Sequence, residues 1–159
     1  MTTDSGTTRA PLRTLRFEEV SVGDALPEVP VPLTRTLIVS TAIASRDYQD
    51  VHHDAVLAEQ RGSKDIFMNI LSTNGIVGRY VTDWSGPAAV LTDVNIRLGA
   101  PNYPDDTMTL TGSVTAKDEE AGPDGRGAVV VTLVGANSRG DHVTGTVRVL
   151  LPAGGGSIQ

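Results

Sequence analysis

"IFMNILSTNGIVGRYVTDW", residues 66–84, carries the fold in its spacing: apolar side chains fall at 66, 67, 70, 71, 76, 77, 80, 81 and 84. Steps of three and four residues are those of an α-helix. The apolar arc is wide, which predicts a helix enclosed by the rest of the protein rather than one lying on its surface. Gly75 and Gly78 cost helix stability, and their spacing puts them on one face, where missing side chains allow close approach to a sheet. Trp84 reads as core, and Tyr80 as a packing residue before a substrate contact.

After Ser85-Gly86-Pro87 the period changes to two. "TMTLTGSVTA" (107–116) puts Met108, Leu110, Val114 and Ala116 on one face and hydroxyl side chains on the other, the pattern of a half-buried antiparallel strand. "AVLTDVNIRL" (89–98), "AVVVTLVGAN" (128–137) and "HVTGTVRVLLP" (142–152) read as further strands, with "DEEAGPDGRG" (118–127) and "NSRGD" (137–141) as turns. Upstream, "TLIVSTAIAS" (36–45) is β-branched and then Ala-rich, a strand running into a helix, and Asp54 can cap a short helix that stops at Gly62. A strand, a short helix, a long buried helix and four antiparallel strands make an α+β fold, a sheet wrapped around one central helix in the hot-dog manner. The domain spans residues 15–152, between a polar, mobile segment (1–14) and a flexible Gly-rich tail (153–159).

The chain has 159 residues, with 17 Gly, 9 Pro and 20% charged residues, which suits one compact domain rich in turns. Its net charge of −6 repels polyanions and argues against nucleic acid as a partner. With no Cys there is no thiol nucleophile or thiolate metal site. No apolar run approaches the ~18 residues of a membrane span, and the acidic, Thr-rich start lacks a signal-peptide pattern, so the expectation is a cytoplasmic protein without a membrane partner.

"RDYQDVHHD" (46–54) holds the densest cluster of titratable side chains. It can be a solvated turn, a metal site or an acid/base centre. Asp50, His52, His53 and Asp54 are unpromising as metal ligands, because adjacent His side chains point apart in most backbones; no metal is expected. Asp54 reads as a helix cap, His53 as a solvated neighbour and His142, within a strand, as a structural group. Asp47 and His52 remain, but Asp-x4-His on its own arises by chance in many chains.

Larger blocks add weight to that pair. "FEEVSVGDALP" (17–27), Asp47-Tyr48-Gln49-Asp50-Val51-His52 and "RLGAPNYPDDTMTLTGSVT" (97–115) resemble the MaoC-like enoyl-CoA hydratases, whose catalytic loop follows Asp-x-Asn-Pro-x-His. The resemblance runs from about residue 17 to residue 151. "IVSTAIASRDYQDVHHD" (38–54), "QRGSKDIFMNIL" (60–71), "GRYVTDWSGP" (78–87) and "GDHVTGTV" (140–147) resemble a subfamily, the small subunits of the heteromeric hydratases of actinobacterial cholesterol side-chain degradation. Two departures stand out. Gln49-Asp50 replaces Asn-Pro, and Phe67-Met68-Asn69 replaces an Ala-His-Gly element whose Gly amide contributes to the oxyanion hole.

The resemblance implies hydration of an α,β-unsaturated thioester of the 3-oxo-4,17-pregnadiene-20-carboxyl-CoA type, with CoA as part of the substrate and no separate cofactor. It also implies a heterotetramer with a larger MaoC-like subunit that lacks the Asp/His pair, or a homodimer when alone. Hydration requires a base for the attacking water, a proton for Cα and stabilisation of the thioester oxygen. Asp47 is the expected acid/base and His52 the water-orienting partner, each positioned group contributing ~10²–10⁴-fold. Backbone amides at Asn69 and Ile70, at a helix start, are the expected oxyanion donors, and Asn74 can face the substrate. Arg61, Lys64, Arg79 and Arg97 are the candidates for the CoA phosphates. A hot-dog thioesterase and a non-catalytic scaffold subunit are the alternatives.

Overall fold

The computed structural model describes residues 13–118 and 125–154. One five-stranded antiparallel sheet has the order β1-β3-β4-β5-β2, built from β1 (Ala25–Leu33), β2 (Val90–Leu98), β3 (Asp106–Asp118), β4 (Arg126–Asn137) and β5 (Gly140–Pro152). Helices α1 (Arg35–Ala44), α2 (Ala55–Gln60) and α3 (Ile70–Ser85) lie between β1 and β2 in the chain. The long helix α3 packs on β1, β2 and β5 and touches α1, so the α+β order of a sheet around one principal helix is present. Among the described residues no helix is long and apolar enough to cross a membrane.

Val77 and Val81 of α3 meet Met108, Leu110, Val131, Leu133, Val147 and Val149 of the sheet in one buried cluster. Each such side chain contributes roughly 1.5–3 kcal/mol when removed from water. Burial of α3 is one-sided, however. Ile70 and Leu71 are half exposed, and Asn74, Gly75 and Arg79 face outward on the same side.

Three expectations need correction. The apolar period suggests a helix from Ile66, but residues 66–69 lie outside any helix, Asn69 is extended, and the helix begins at Ile70. The reason is local: the Phe67 backbone bonds to Val51 and His52, and the Asn69 side chain caps the helix at Ser72. Residues 36–44 contain no strand and are helical throughout, begun by Thr34, whose hydroxyl accepts from the Leu37 amide at 3.0 Å. The strand lies upstream, where Pro27, Pro30 and Pro32 disguise it; β1 is an edge strand with a bulge between Leu26 and Val29, the setting in which proline is tolerated. Finally, Ala116 is exposed rather than in phase with Val114, because a bulge between them resets the alternation.

The two helix glycines also separate. A Cβ on Gly78 would contact the Leu91 side chain of β2 at 3.5 Å, whereas one on Gly75 meets nothing within 4 Å. Thr14 and Leu15 are tied to the α3–β2 turn, by Ala88 N–H to the Thr14 hydroxyl and Leu15 N–H to the Ser85 carbonyl. Residues 1–12 of the polar segment, 155–159 of the tail and most of the 118–127 turn lie outside the described residues.

Edge strand β2 is held close to β5 by Gly145, where a Cβ would sit 2.2 Å from the Asn95 carbonyl oxygen. Gly145→Ala therefore lowers the stability of the chain by roughly 1–3 kcal/mol in urea unfolding. Gly75→Ala, into open space on a helix, raises stability by up to ~1 kcal/mol in the same assay.

Candidate active site

The chain leaves α1 through Ser45 and reverses at Arg46, whose φ of +58° is left-handed and uncommon for a residue with a Cβ. The reversal lets Asp47 N–H reach back to the Ala42 carbonyl at 3.0 Å and turns the Asp47 side chain toward the start of α3. A single 3-10 turn, Asp50–His52, then brings His52 beneath the same helix start. Side chains five residues apart thus converge: Asp47 Oδ2 lies 3.4 Å from His52 Nε2.

The imidazole is buried and its orientation is fixed. His52 Nδ1 lies 2.7 Å from the Phe67 carbonyl oxygen, which can only accept, so Nδ1 carries the proton and in the neutral ring Nε2 offers a lone pair toward Asp47. The Phe67 ring meets the imidazole edge-on at 5.0 Å, and Phe67 N–H donates to the Val51 carbonyl.

Asp47 is held by neutral donors. Asn69 Nδ2 donates to Oδ2 at 2.9 Å and Gln49 N–H to Oδ1 at 3.3 Å. The Asn69 carboxamide is the main reason the Asp47 carboxyl lies below the usual carboxylate range; the Gln49 amide and the nearby His52 add to it, and partial burial opposes them. The group is ionised at neutral pH and 20% exposed, so it is reachable from solvent. Two acceptors 3.4 Å apart, Asp47 Oδ2 and His52 Nε2, suit one water that donates a hydrogen to each.

The amides expected to meet the thioester oxygen lie beside this pair. Asn69 is the N-cap of α3 and Ile70 its first residue, and among the described residues neither amide meets a protein acceptor. Asn74 lies on the exposed side of α3, just over a turn beyond Ile70. Of the four cations, Arg61 pairs with Asp50 at 2.7 Å, close in sequence to His52, and Lys64 lies 6.0 Å from the Tyr103 ring centroid. The other two are elsewhere. Arg79 pairs with Asp83 about 15 Å further along α3, and Arg97 sits on edge strand β2 opposite Thr144.

The remaining members of the 46–54 cluster have separate partners. Asp50 is held by Arg61, Asp54 caps α2 by accepting from Leu57 N–H at 3.0 Å, and His53 is exposed with Nε2 near the Tyr48 carbonyl. His142 is buried with both ring nitrogens engaged, Nδ1 to the Ala100 carbonyl at 2.6 Å and Nε2 to the Thr73 hydroxyl at 2.9 Å. An apolar groove of about 310 Å³ lies between β1, α1 and α3, lined by Val29, Val31, Leu37, Ile76, Tyr80 and Leu110 among others. It opens beside the middle of α3, some 10 Å from Asn69, and does not include the Asp/His pair.

Sequence reasoning assigned Asn69 only a backbone role and missed its side chain, Ser45, Ser72 and the Phe67 carbonyl. One signal was available: Asn three residues before Ser, at the head of an apolar run, is an N-cap pattern.

Comparison with known proteins gives a consistent picture. A family model described as MaoC like domain matches residues 18–135. The chain is 51% identical over 128 residues, 80% of its length and 94% of the other's, to a protein of Mycobacterium tuberculosis named 3-oxo-4,17-pregnadiene-20-carboxyl-CoA hydratase beta subunit. A chain in the crystal structure of the ChsH1-ChsH2 complex from Mycobacterium tuberculosis is 50% identical and superposes with a TM-score of 0.75, covering 82% of this chain and 98% of that one. The (R)-hydratase from A. caviae involved in PHA biosynthesis is 18% identical with a TM-score of 0.74, over 85% of this chain and 99% of that one, a likeness of fold alone. The architecture is a hot-dog.

His142 makes the site's support sensitive to pH. Burial pushes its imidazole below the ordinary value, against the opposing pull of the Ala100 carbonyl. Because the folded-state value is depressed, its contribution to stability is complete above the ordinary imidazole range and is lost as pH falls below it. Urea-unfolding midpoints should therefore decline between about pH 7 and pH 5, and His142→Gln, though less stable throughout, should remove most of that slope.

Proposed function

This chain belongs to the MaoC-like family, and from that membership we propose that it is the Asp/His-bearing subunit of a hydratase acting on a steroid side-chain enoyl-CoA. The observation that carries the reading is the convergence of an ionised Asp47 and a tautomerically fixed His52 at 3.4 Å. The substrate class, 3-oxo-4,17-pregnadiene-20-carboxyl-CoA, comes from the relative's name and its 51% identity.

In the reaction, Asp47 takes a proton from water as the water oxygen bonds to Cβ of the enoyl thioester. His52 Nε2 accepts the other water hydrogen and holds the oxygen on line. The π electrons move to Cα and the thioester oxygen, where the Asn69 and Ile70 amides and the positive end of α3 meet the developing charge; one such donor is worth ~10²–10³-fold. The proton held by Asp47 then passes to Cα, and the pair returns to its starting state with one water added. Arg61, paired with Asp50 in the segment that carries the site, and Lys64 meet the CoA phosphates. A CoA thioester substrate goes with a cytoplasmic location.

A second subunit is part of the proposal. The apolar groove, about 310 Å³, is at the lower end for a ligand site and small for a rigid four-ring substrate. Ile70 and Leu71 on α3 and Val90 and Leu91 on edge strand β2 are exposed apolar residues of the kind a partner covers. The partner is a larger MaoC-like chain without the Asp/His pair, in a heterotetramer; alone, this chain forms a weakly active or inactive homodimer.

The complex with such a larger subunit, incubated with the steroid enoyl-CoA, should yield a product heavier by one water. Asp47→Ala and His52→Ala should each slow hydration by ~10²–10⁴-fold without loss of assembly. Undiminished rates in both variants would make the chain a scaffold, and free CoA detected with a thiol reagent would make it a thioesterase.

A further inference from the structure

The side chain of Asn69 does more than a helix cap needs. A cap requires only a side-chain oxygen, and Asn69 Oδ1 supplies it, accepting from Ser72 N–H at 2.9 Å and from the Ser72 hydroxyl. Aspartate or serine would cap about as well. What the carboxamide adds is an NH2 group, and both of its hydrogens are directed at the site: Nδ2 donates to Asp47 Oδ2 at 2.9 Å and to Ser45 Oγ at 3.1 Å. Asn69 is 2% exposed, so its rotamer is set by packing and by bonds at both ends of the amide.

The same short segment holds the other half of the pair. Two residues earlier, the Phe67 carbonyl accepts from His52 Nδ1 at 2.7 Å. Residues 67–69 therefore grip the imidazole by a backbone oxygen and the carboxylate by a side-chain nitrogen, and α3 anchors the segment. We propose that Asn69 is a positioning residue for hydration: its Nδ2 fixes the Asp47 carboxylate so that Oδ2 faces His52 Nε2, while its Oδ1 ties that geometry to the start of α3. This inference rests on the hydratase reading above.

The choice of amide has a chemical reason. Asp at 69 would keep the cap but set an anion against Asp47, raising its affinity for a proton; Ser would keep the cap but is too short to hold both Ser72 and Asp47. The neutral NH2 orients the carboxylate and still leaves it a base.

The test uses the assembled complex carrying Asn69→Ser or Asn69→Asp, with Asp47→Ala and His52→Ala alongside. Both Asn69 variants keep a capping oxygen, so Asn69→Ser should melt within a few degrees of the parent, while Asn69→Asp, which buries a second carboxylate beside Asp47, should melt lower. For each, kcat should fall roughly ten- to hundredfold, the worth of one charge-assisted hydrogen bond, with KM little changed. The acid limb of the pH–rate profile should move to higher pH, further for Asn69→Asp than for Asn69→Ser. If both variants match the parent in kcat and pH profile while Asp47→Ala and His52→Ala are inactive, Asn69 is a cap alone and the inference is overturned. Full activity in Asp47→Ala and His52→Ala would instead remove the hydratase reading itself, whatever Asn69 does.

Discussion

The first turn of a helix has amide hydrogens with no partner inside the helix, and the site is organised around how α3 meets that need. Asn69 satisfies Ser72 with its side-chain oxygen, and among the described residues the amides of Asn69 and Ile70 at the very start of the helix meet no protein acceptor. The residues just before it are not helical, because the Phe67 backbone groups are committed to Val51 and His52. Were the helix to begin one turn earlier, the Phe67 carbonyl would be drawn into the helical ladder and the imidazole would lose its Nδ1 partner.

Charge at the site is managed by neutral dipoles. In an acidic chain, two carboxylates lie within three residues of each other and have different environments. Asp50 is paired with the Arg61 guanidinium, which holds it well ionised and occupies its oxygen. Asp47 is stabilised chiefly by an amide and a backbone N–H, with the imidazole alongside. Neutral donors lower a carboxylate's proton affinity without placing a full positive charge in the proton's path, so Asp47 remains usable as a base. The left-handed Arg46 that delivers Asp47 is a local backbone cost borne at the same place.

The sheet and its helix do not close on themselves. β1 and β2 are both edges, β1 protected by prolines and a bulge, β2 carrying exposed Val90 and Leu91 toward the C-terminal half of α3, where Leu91 lies against Gly78. Exposed apolar side chains therefore flank α3 at both ends, Ile70 and Leu71 beside the Asp/His pair and Val90 and Leu91 toward the other end, so a partner that covered them would run along the length of the helix.

Composition and periodicity were enough for the α+β class, the four C-terminal strands and the position of a long apolar helix, because each depends on local spacing; the choice of Asp47 and His52 came instead from the family resemblance of the blocks around them. Their limits were equally local. Three prolines hid β1, since only its place at the sheet edge makes them acceptable, and β-branched residues in α1 suggested a strand where a Thr34 cap and packing on α3 impose a helix. The apolar pattern ran on upstream of the helix through Ile66, Phe67 and Met68, because buried Ile66 and Met68 in a non-helical segment continue the same apolar run. By itself the sequence determined which side chains could do chemistry; tertiary structure alone decided how they are held, because the partners of His52 and Asp47 come from a segment 15 and 22 residues away whose carbonyl and carboxamide have no reason to point there until α3 is docked on the sheet.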